Sequence, residues 1–202
     1  MMNHRIPFAI GVLLTIIAST IGLVIIPNWQ FKDLKPYENE QGYKHPYEPY
    51  GAQKLGREVY ADLGCIYCHS QQVRAANFGA DIDRGWGTRR SVARDYIYDN
   101  PPFMGTMRTG PDLHNIGSRQ PSRDWHALHL YNPQITSPGS IMPPHPFLFE
   151  AHGVNGAVPK EGILLPAKWS AKPAYIVPKK RAELLIEYLK SLDHTYELPE
   201  AK

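Results

Sequence analysis

The sequence predicts a mainly α protein, with a single N-terminal transmembrane helix followed by one loop-rich domain. Three observations carry this. The run from Ile6 to Ile26 holds 21 residues without an Asp, Glu, Lys or Arg. Two later stretches, one before residue 64 and one after residue 178, repeat apolar residues at helical spacing. Nineteen prolines and sixteen glycines among 202 residues demand long connections between few regular elements. A composition of 43% hydrophobic and 20% charged residues with a net charge of +3 excludes a disordered chain and a basic nucleic-acid-binding protein. With only two cysteines, Cys65 and Cys68, the chain cannot build a disulfide scaffold or a four-thiolate metal site by itself.

At about 1.5 Å per residue, the uncharged run makes a helix of roughly 31 Å, which matches the hydrocarbon core of a bilayer. The apolar stretch of a secretory signal is shorter, about 7–15 residues, and ends at a small-residue cleavage site. This run instead leads into Ile26-Pro27-Asn28-Trp29, so residues 1–28 are expected to be an uncleaved anchor with Trp29 at the membrane interface. Arg5 lies on the short side and Lys32, Lys35 and Lys44 on the other, so charge does not decide the orientation. Residues 29–50, with Pro36, Pro46, Pro49 and four tyrosines, read as an extended linker lying against a surface. The folded domain is expected over residues 51–202.

The chemistry is concentrated in Leu63-Gly-Cys65-Ile66-Tyr67-Cys68-His69. A Cys-x-x-Cys pair alone fits a redox dithiol, half a zinc site or a haem attachment site. The histidine directly after the second cysteine selects haem. Both thiols become thioethers to the porphyrin, and the adjacent His69 lies beneath the iron as its proximal ligand. A thioredoxin-like motif would need a strand before it in a βαβ unit, and none is predicted.

Upstream, Leu55, Val59 and Leu63 recur at spacings of four and form an amphipathic helix that runs into the motif. Near the C-terminus, Leu184, Leu185, Tyr188, Leu189 and Leu192 form the apolar face of a second helix. Gly56 has no side chain to hold the two apart, so Tyr188 is expected to pack close to it. Between them, Ser122 caps a short helix over residues 123–131 that ends at Asn132-Pro133.

Two terminal helices crossing beside a haem motif resemble the class I cytochrome c fold. Gly110-Pro111-Asp112-Leu113-His114-Asn115-Ile116-Gly117 is similar to the stretch of that class in which a proline carbonyl accepts the proximal histidine's free N–H. The resemblance implies that Pro111 orients His69 and that a methionine completes the iron. Met142, in Ser140-Ile141-Met142-Pro143-Pro144, follows the short helix and precedes proline, as the class requires. Met104 and Met107, or a histidine such as His114 or His145, are the alternatives. His126, His129, His152 and His194 read as surface or helix-packing residues. Haem propionates need donors, and Arg74, Trp86, Arg89, Arg108 and Arg119 stand in the loops where donors belong. Arg108, beside Thr109-Gly110-Pro111, is the candidate chosen.

Further stretches extend the likeness. Cys68-His69-Ser70-Gln71-Gln72-Val73-Arg74, Asp95-Tyr96-Ile97-Tyr98-Asp99-Asn100-Pro101-Pro102, Arg108-Thr109-Gly110-Pro111-Asp112-Leu113 and Asp124 to Pro133 occur in order, followed by Met142-Pro143. Together they resemble the mono-haem subunit II, FixO-like, of cbb-type haem-copper oxidases. That resemblance implies an electron-transfer subunit with one covalent haem c and no catalytic site of its own. It also implies partners: the oxygen-reducing catalytic subunit, a further cytochrome c subunit and an electron-donor cytochrome. Haem c is attached outside the cytoplasm, so the domain is expected on the outer side of the bacterial inner membrane. The small subunit of a nitric oxide reductase and a free-standing tethered shuttle are the alternatives. No copper is expected, because both cysteines are used by haem. The chain departs from the family pattern in lacking acidic residues directly after His4, and in a Pro/Gly-rich excursion over residues 147–178, expected to pack on a partner subunit.

Overall fold

A computed structural model describes residues 5–201, so the first four residues of the expected anchor lie outside the described part. Helix α1 runs without interruption over Arg5–Phe31, and no residue of Arg5–Thr20 is buried against the rest of the chain. Phe8, Leu23 and Trp29 are among its fully presented apolar side chains. The helix is thus long and apolar enough to cross a membrane and has no protein cover of its own. It also continues past residue 28, the expected end of the anchor. Residues Ile21–Ile25 form a π turn in which the Ile26 N–H donates to the Ile21 carbonyl. This local change of register sits directly ahead of Pro27, whose missing N–H and bulky ring would disrupt a regular turn.

Beyond α1 the linker folds back once. Strands β1 (Tyr37–Glu38) and β2 (Lys44–His45) pair antiparallel, with the Asn39 side chain accepting the Tyr43 N–H at 2.9 Å inside the turn. The linker lies on the domain. Tyr47 Oη–H donates to the Ser191 carbonyl at 3.1 Å, and His45 stacks on Tyr196 with ring centres 4.4 Å apart.

The domain is organised by α2 (Ala52–Asp62) and α5 (Lys180–Ser191), which cross at Gly56. A Cβ at Gly56 would overlap the Leu184 carbonyl and lie 2.7 Å from Tyr188 Cβ, so this close crossing requires glycine. Tyr60 and Tyr188 meet edge to face at 5.5 Å beside it. Two short helices, α3 (Ile116–Arg119) and α4 (Arg123–Tyr131), close the core with Ile116, Ala127 and Leu130. Ser122 caps α4, its Oγ accepting the Trp125 N–H at 3.2 Å. Gly117 touches the far end of α5 and donates its N–H to the Leu192 carbonyl at 2.9 Å.

The excursion over residues 147–178 is not only loop. It holds β3 (Phe149–Gly153), β4 (Ile163–Leu164) and β5 (Ala174–Pro178), which form an antiparallel sheet in the order β3-β5-β4. Phe149, Ile163 and Ile176 point from the three strands into the same core as α5. These three buried side chains are what make a Pro/Gly-rich segment a layer of the domain.

Candidate functional site

The cysteine motif starts where α2 stops. Residues Cys65–Tyr67 make one tight turn, and the N–H groups of Cys68 and His69 both donate to the Cys65 carbonyl, at 3.2 and 3.0 Å. That turn presents Cys65, Cys68 and His69 together, with both thiols free of any disulfide. Burial pushes the Cys65 thiol up to about 11. A redox or metal-binding cysteine is held low by nearby cations or dipoles, so this environment keeps a thiol and not a thiolate.

His69 is buried, and its Nδ1 lies 2.7 Å from the Pro111 carbonyl oxygen. A carbonyl only accepts, so Nδ1 carries the proton and Nε2 carries the lone pair. Burial lowers the ring's pKa and the Pro111 carbonyl opposes it, with burial prevailing. The side chain is therefore a neutral imidazole with an available Nε2, the form in which histidine binds a metal. Gly110 packs flat on the ring, and a Cβ there would stand 2.8 Å from both ring nitrogens. Any side chain at 110 would push the imidazole out of place.

His69 and Pro111 are thus joined by one hydrogen bond. Met142 lies on the loop after α4, half-buried against the core cluster that also receives Leu63, Cys65 and Ile66. Its N–H donates to Ser140 Oγ at 3.2 Å, and the His145 N–H ties the same loop to the Leu130 carbonyl at 2.9 Å. Arg108 is turned inward. Its Nε–H donates to Ser70 Oγ at 2.9 Å, and its two terminal nitrogens reach Asp81 and, at 2.5 Å, the Gln72 carbonyl. Arg89 grips Asp95 with two bonds of 2.9 and 2.7 Å, and Arg119 donates to the Asp112 carbonyl. Trp86 lies beneath Arg108, whose guanidinium is 5.5 Å from the ring centre.

The remaining histidines divide. His126 is buried on α4 and pairs with the Gln120 carbonyl at 2.8 Å, while His129 stacks on Trp125 at 4.7 Å and meets Thr136 Oγ1 at 2.6 Å. Burial lowers both to about 4. His114 faces Asp95 and stacks on His194 with ring centres 3.9 Å apart.

Several residues without an expected role prove central. Asp112, fully buried, accepts Ser70 Oγ–H at 2.6 Å, the Gln72 N–H at 2.7 Å and the His114 N–H at 2.8 Å. Asp95 accepts from Arg89, the Val92 N–H and Tyr196 Oη–H. Burial alone would raise the Asp95 carboxyl, but the bonds from Arg89 and the Val92 N–H hold it well below the usual carboxylate range. The available sequence signal was adjacency, since Ser70 follows His69 and Asp112 follows Pro111.

These residues fit a covalently held haem. The donor set offers two thiols on one turn, a neutral imidazole locked by its own second nitrogen, and a thioether on a separate loop, with Gly110 leaving room at the ring. No curated protein matches the chain. A family model described as cytochrome c oxidase, mono-heme subunit/FixO, matches residues 1–162.

Proposed function

This chain belongs to the FixO family of mono-haem cytochrome c oxidase subunits, and from that premise we propose that it is the haem c subunit of a cbb-type terminal oxidase, relaying electrons to the oxygen-reducing subunit. The observation that carries this reading is the turn bearing Cys65, Cys68 and His69, with the His69 Nδ1–H donated to the Pro111 carbonyl at 2.7 Å. When bound, the haem supplies a one-electron iron couple. Cys65 and Cys68 would tether it as thioethers, His69 Nε2 and the Met142 sulfur would be its iron ligands, and the Pro111 carbonyl would hold the imidazole in one orientation. The crossing of α2 and α5 at Gly56, directly ahead of the motif, supports a class I cytochrome c fold for the domain. With His69 and Met142 both engaged in holding the haem, the chain would carry electrons and leave oxygen chemistry to its partner.

Helix α1 holds the domain to the membrane, and attachment of haem c outside the cytoplasm puts the domain on the outer face. Tethering replaces a diffusional search with a high local concentration at the partner subunits. The linker bonded down along the domain favours a fixed presentation over a swinging one.

The test is made on the complex purified from host membranes. It consumes oxygen and not nitric oxide when given a reduced donor, and its small subunit keeps haem through denaturing electrophoresis while the Cys68→Ser variant loses that retention. Nitric oxide consumption, or a wild-type chain without covalent haem, overturns the proposal. For Met142, the reduced Met142→Ala protein binds carbon monoxide at its haem c and the wild type does not.

A further inference from the structure

We propose that Asp112 is a positioning residue that sets the strength of the His69–Pro111 hydrogen bond and, through it, the reduction potential of the haem. The inference rests on the reading of His69 as the proximal ligand.

Asp112 has no exposed surface, and its three donors come from two segments. Ser70 Oγ–H and the Gln72 N–H belong to the chain leaving His69, and the His114 N–H belongs to the chain leaving Pro111. The carboxylate therefore clamps the segment after the ligand to the segment after the carbonyl that orients it. Two backbone bonds complete the clamp, from the Gly110 N–H to the Cys68 carbonyl at 2.9 Å and from the Leu113 N–H to the Ser70 carbonyl at 2.7 Å. The His69–Pro111 bond lies between these two points. From outside, Arg108 braces the same unit through Ser70, with its Nη2 at 3.8 Å from the Asp112 carboxylate.

A buried carboxylate accepting three bonds acts on the loops as a rigid spacer, because each donor would otherwise be left without a partner. Its consequence for the iron follows from the imidazole. A strong Nδ1–H···O=C bond makes the ring a better electron donor, which favours the ferric state and lowers the potential. Asparagine at 112 keeps one acceptor oxygen and turns an NH2 group toward donors that need an acceptor. The two segments then separate, the bond to Pro111 weakens and the potential rises.

The experiment uses the full haem-loaded chain in detergent, as wild type, Asp112→Asn, Ser70→Ala and Asp124→Asn, an exposed carboxylate on α4 serving as control. Two quantities are read: the midpoint potential by spectroelectrochemical titration, and the His69 Nδ1–H proton resonance of the reduced protein. The expected result is covalent haem in all four, a raised potential and an upfield resonance in Asp112→Asn, smaller shifts of the same sign in Ser70→Ala, and none in Asp124→Asn. Ser70→Ala keeps the carboxylate and loses one of its three bonds, so it decides the matter if Asp112→Asn does not accumulate. Wild-type potential and resonance in the haem-loaded variants overturn the inference and leave Asp112 a loop brace. Failure of the functional reading is distinct, because a wild-type chain without haem or without a His69 resonance shifted by the ring current reveals it before any variant is compared.

Discussion

Where α2 crosses α5, contact is made by backbone and hydrocarbon: Gly56 against the Leu184 carbonyl, with Tyr60, Tyr188, Leu185 and Ile186 buried around it. The loops over residues 69–119 are held in the opposite way, by three buried carboxylates, Asp81, Asp95 and Asp112, each gathering donors from separate segments. The first region resists change in volume and the second resists change in acceptor chemistry. The difference matters at the site because the motif sits on the seam: Cys65 follows directly from the helix crossing, and His69 is oriented by the loops.

The largest expected effect breaks the first region. Gly56→Val would drive a branched side chain into the Leu184 carbonyl, where backbone and not a flexible side chain must give way. A loss of about 4 kcal/mol is expected, at the upper end for a single substitution. Thermal unfolding of the haem-loaded chain measures it, and a melting temperature close to wild type would mean that the helices do not depend on close approach. The corresponding break in the second region is Asp95→Asn, which leaves the Arg89 guanidinium facing an amide in a site where the Asp95 side chain is fully buried. Removing one partner of such a pair costs about 3 kcal/mol. The carboxyl is held below its unfolded value, so its stabilisation is present above about pH 4 and is lost as the pH falls further. The Asn variant should therefore show a shallower loss of stability in acid than the wild type.

The same contrast explains what was legible in the sequence. The two helices, the small residue at Gly56 and the cap at Ser122 are set by local spacing, and each can be read in a short window, whereas the His69–Pro111 pair, 42 residues apart, is implied by the family resemblance. Asp95 and Asp112 have no periodic signature. The donors that define them arrive from Tyr196, Arg89, Ser70 and Gln72, and only the fold brings those together. The sheet over residues 149–178 was obscured for a related reason. Strand β4 is two residues long, too short to show alternation, and it becomes a strand only because Ile163 finds Ile176 as its partner. His194 likewise reads as a surface or helix-packing residue, and only the fold stacks it on His114.

A smaller effect sharpens the comparison by testing titration inside the helical region. His126 on α4 is lowered from 6.5 to about 4, chiefly by burial, against the opposing Gln120 carbonyl. The folded state therefore disfavours protonation that the unfolded chain accepts. Its contribution is fully present above about pH 6.5 and is lost as the pH falls toward 4, at up to about 1.4 kcal/mol per pH unit. His126→Gln should flatten the fall in melting temperature over that window, and an unchanged slope would place the acid sensitivity in the carboxylate loops instead.

The smallest effect concerns the same two helices that Gly56 brings together. Arg181 Nη2 lies 3.1 Å from Asp62 Oδ2, joining the end of α2 to the start of α5, but the two side chains are 54% and 63% exposed. At that exposure solvent screens the pair, and ordering two mobile side chains offsets most of the attraction, so its value is below about 0.5 kcal/mol. Asp62→Asn should leave the melting temperature within error of wild type at moderate salt and lower it slightly when salt is removed. A loss above about 1 kcal/mol, insensitive to salt, would mean that the end of the crossing is held by charge as the haem-side loops are, and the division between the two regions would have to be redrawn at Asp62.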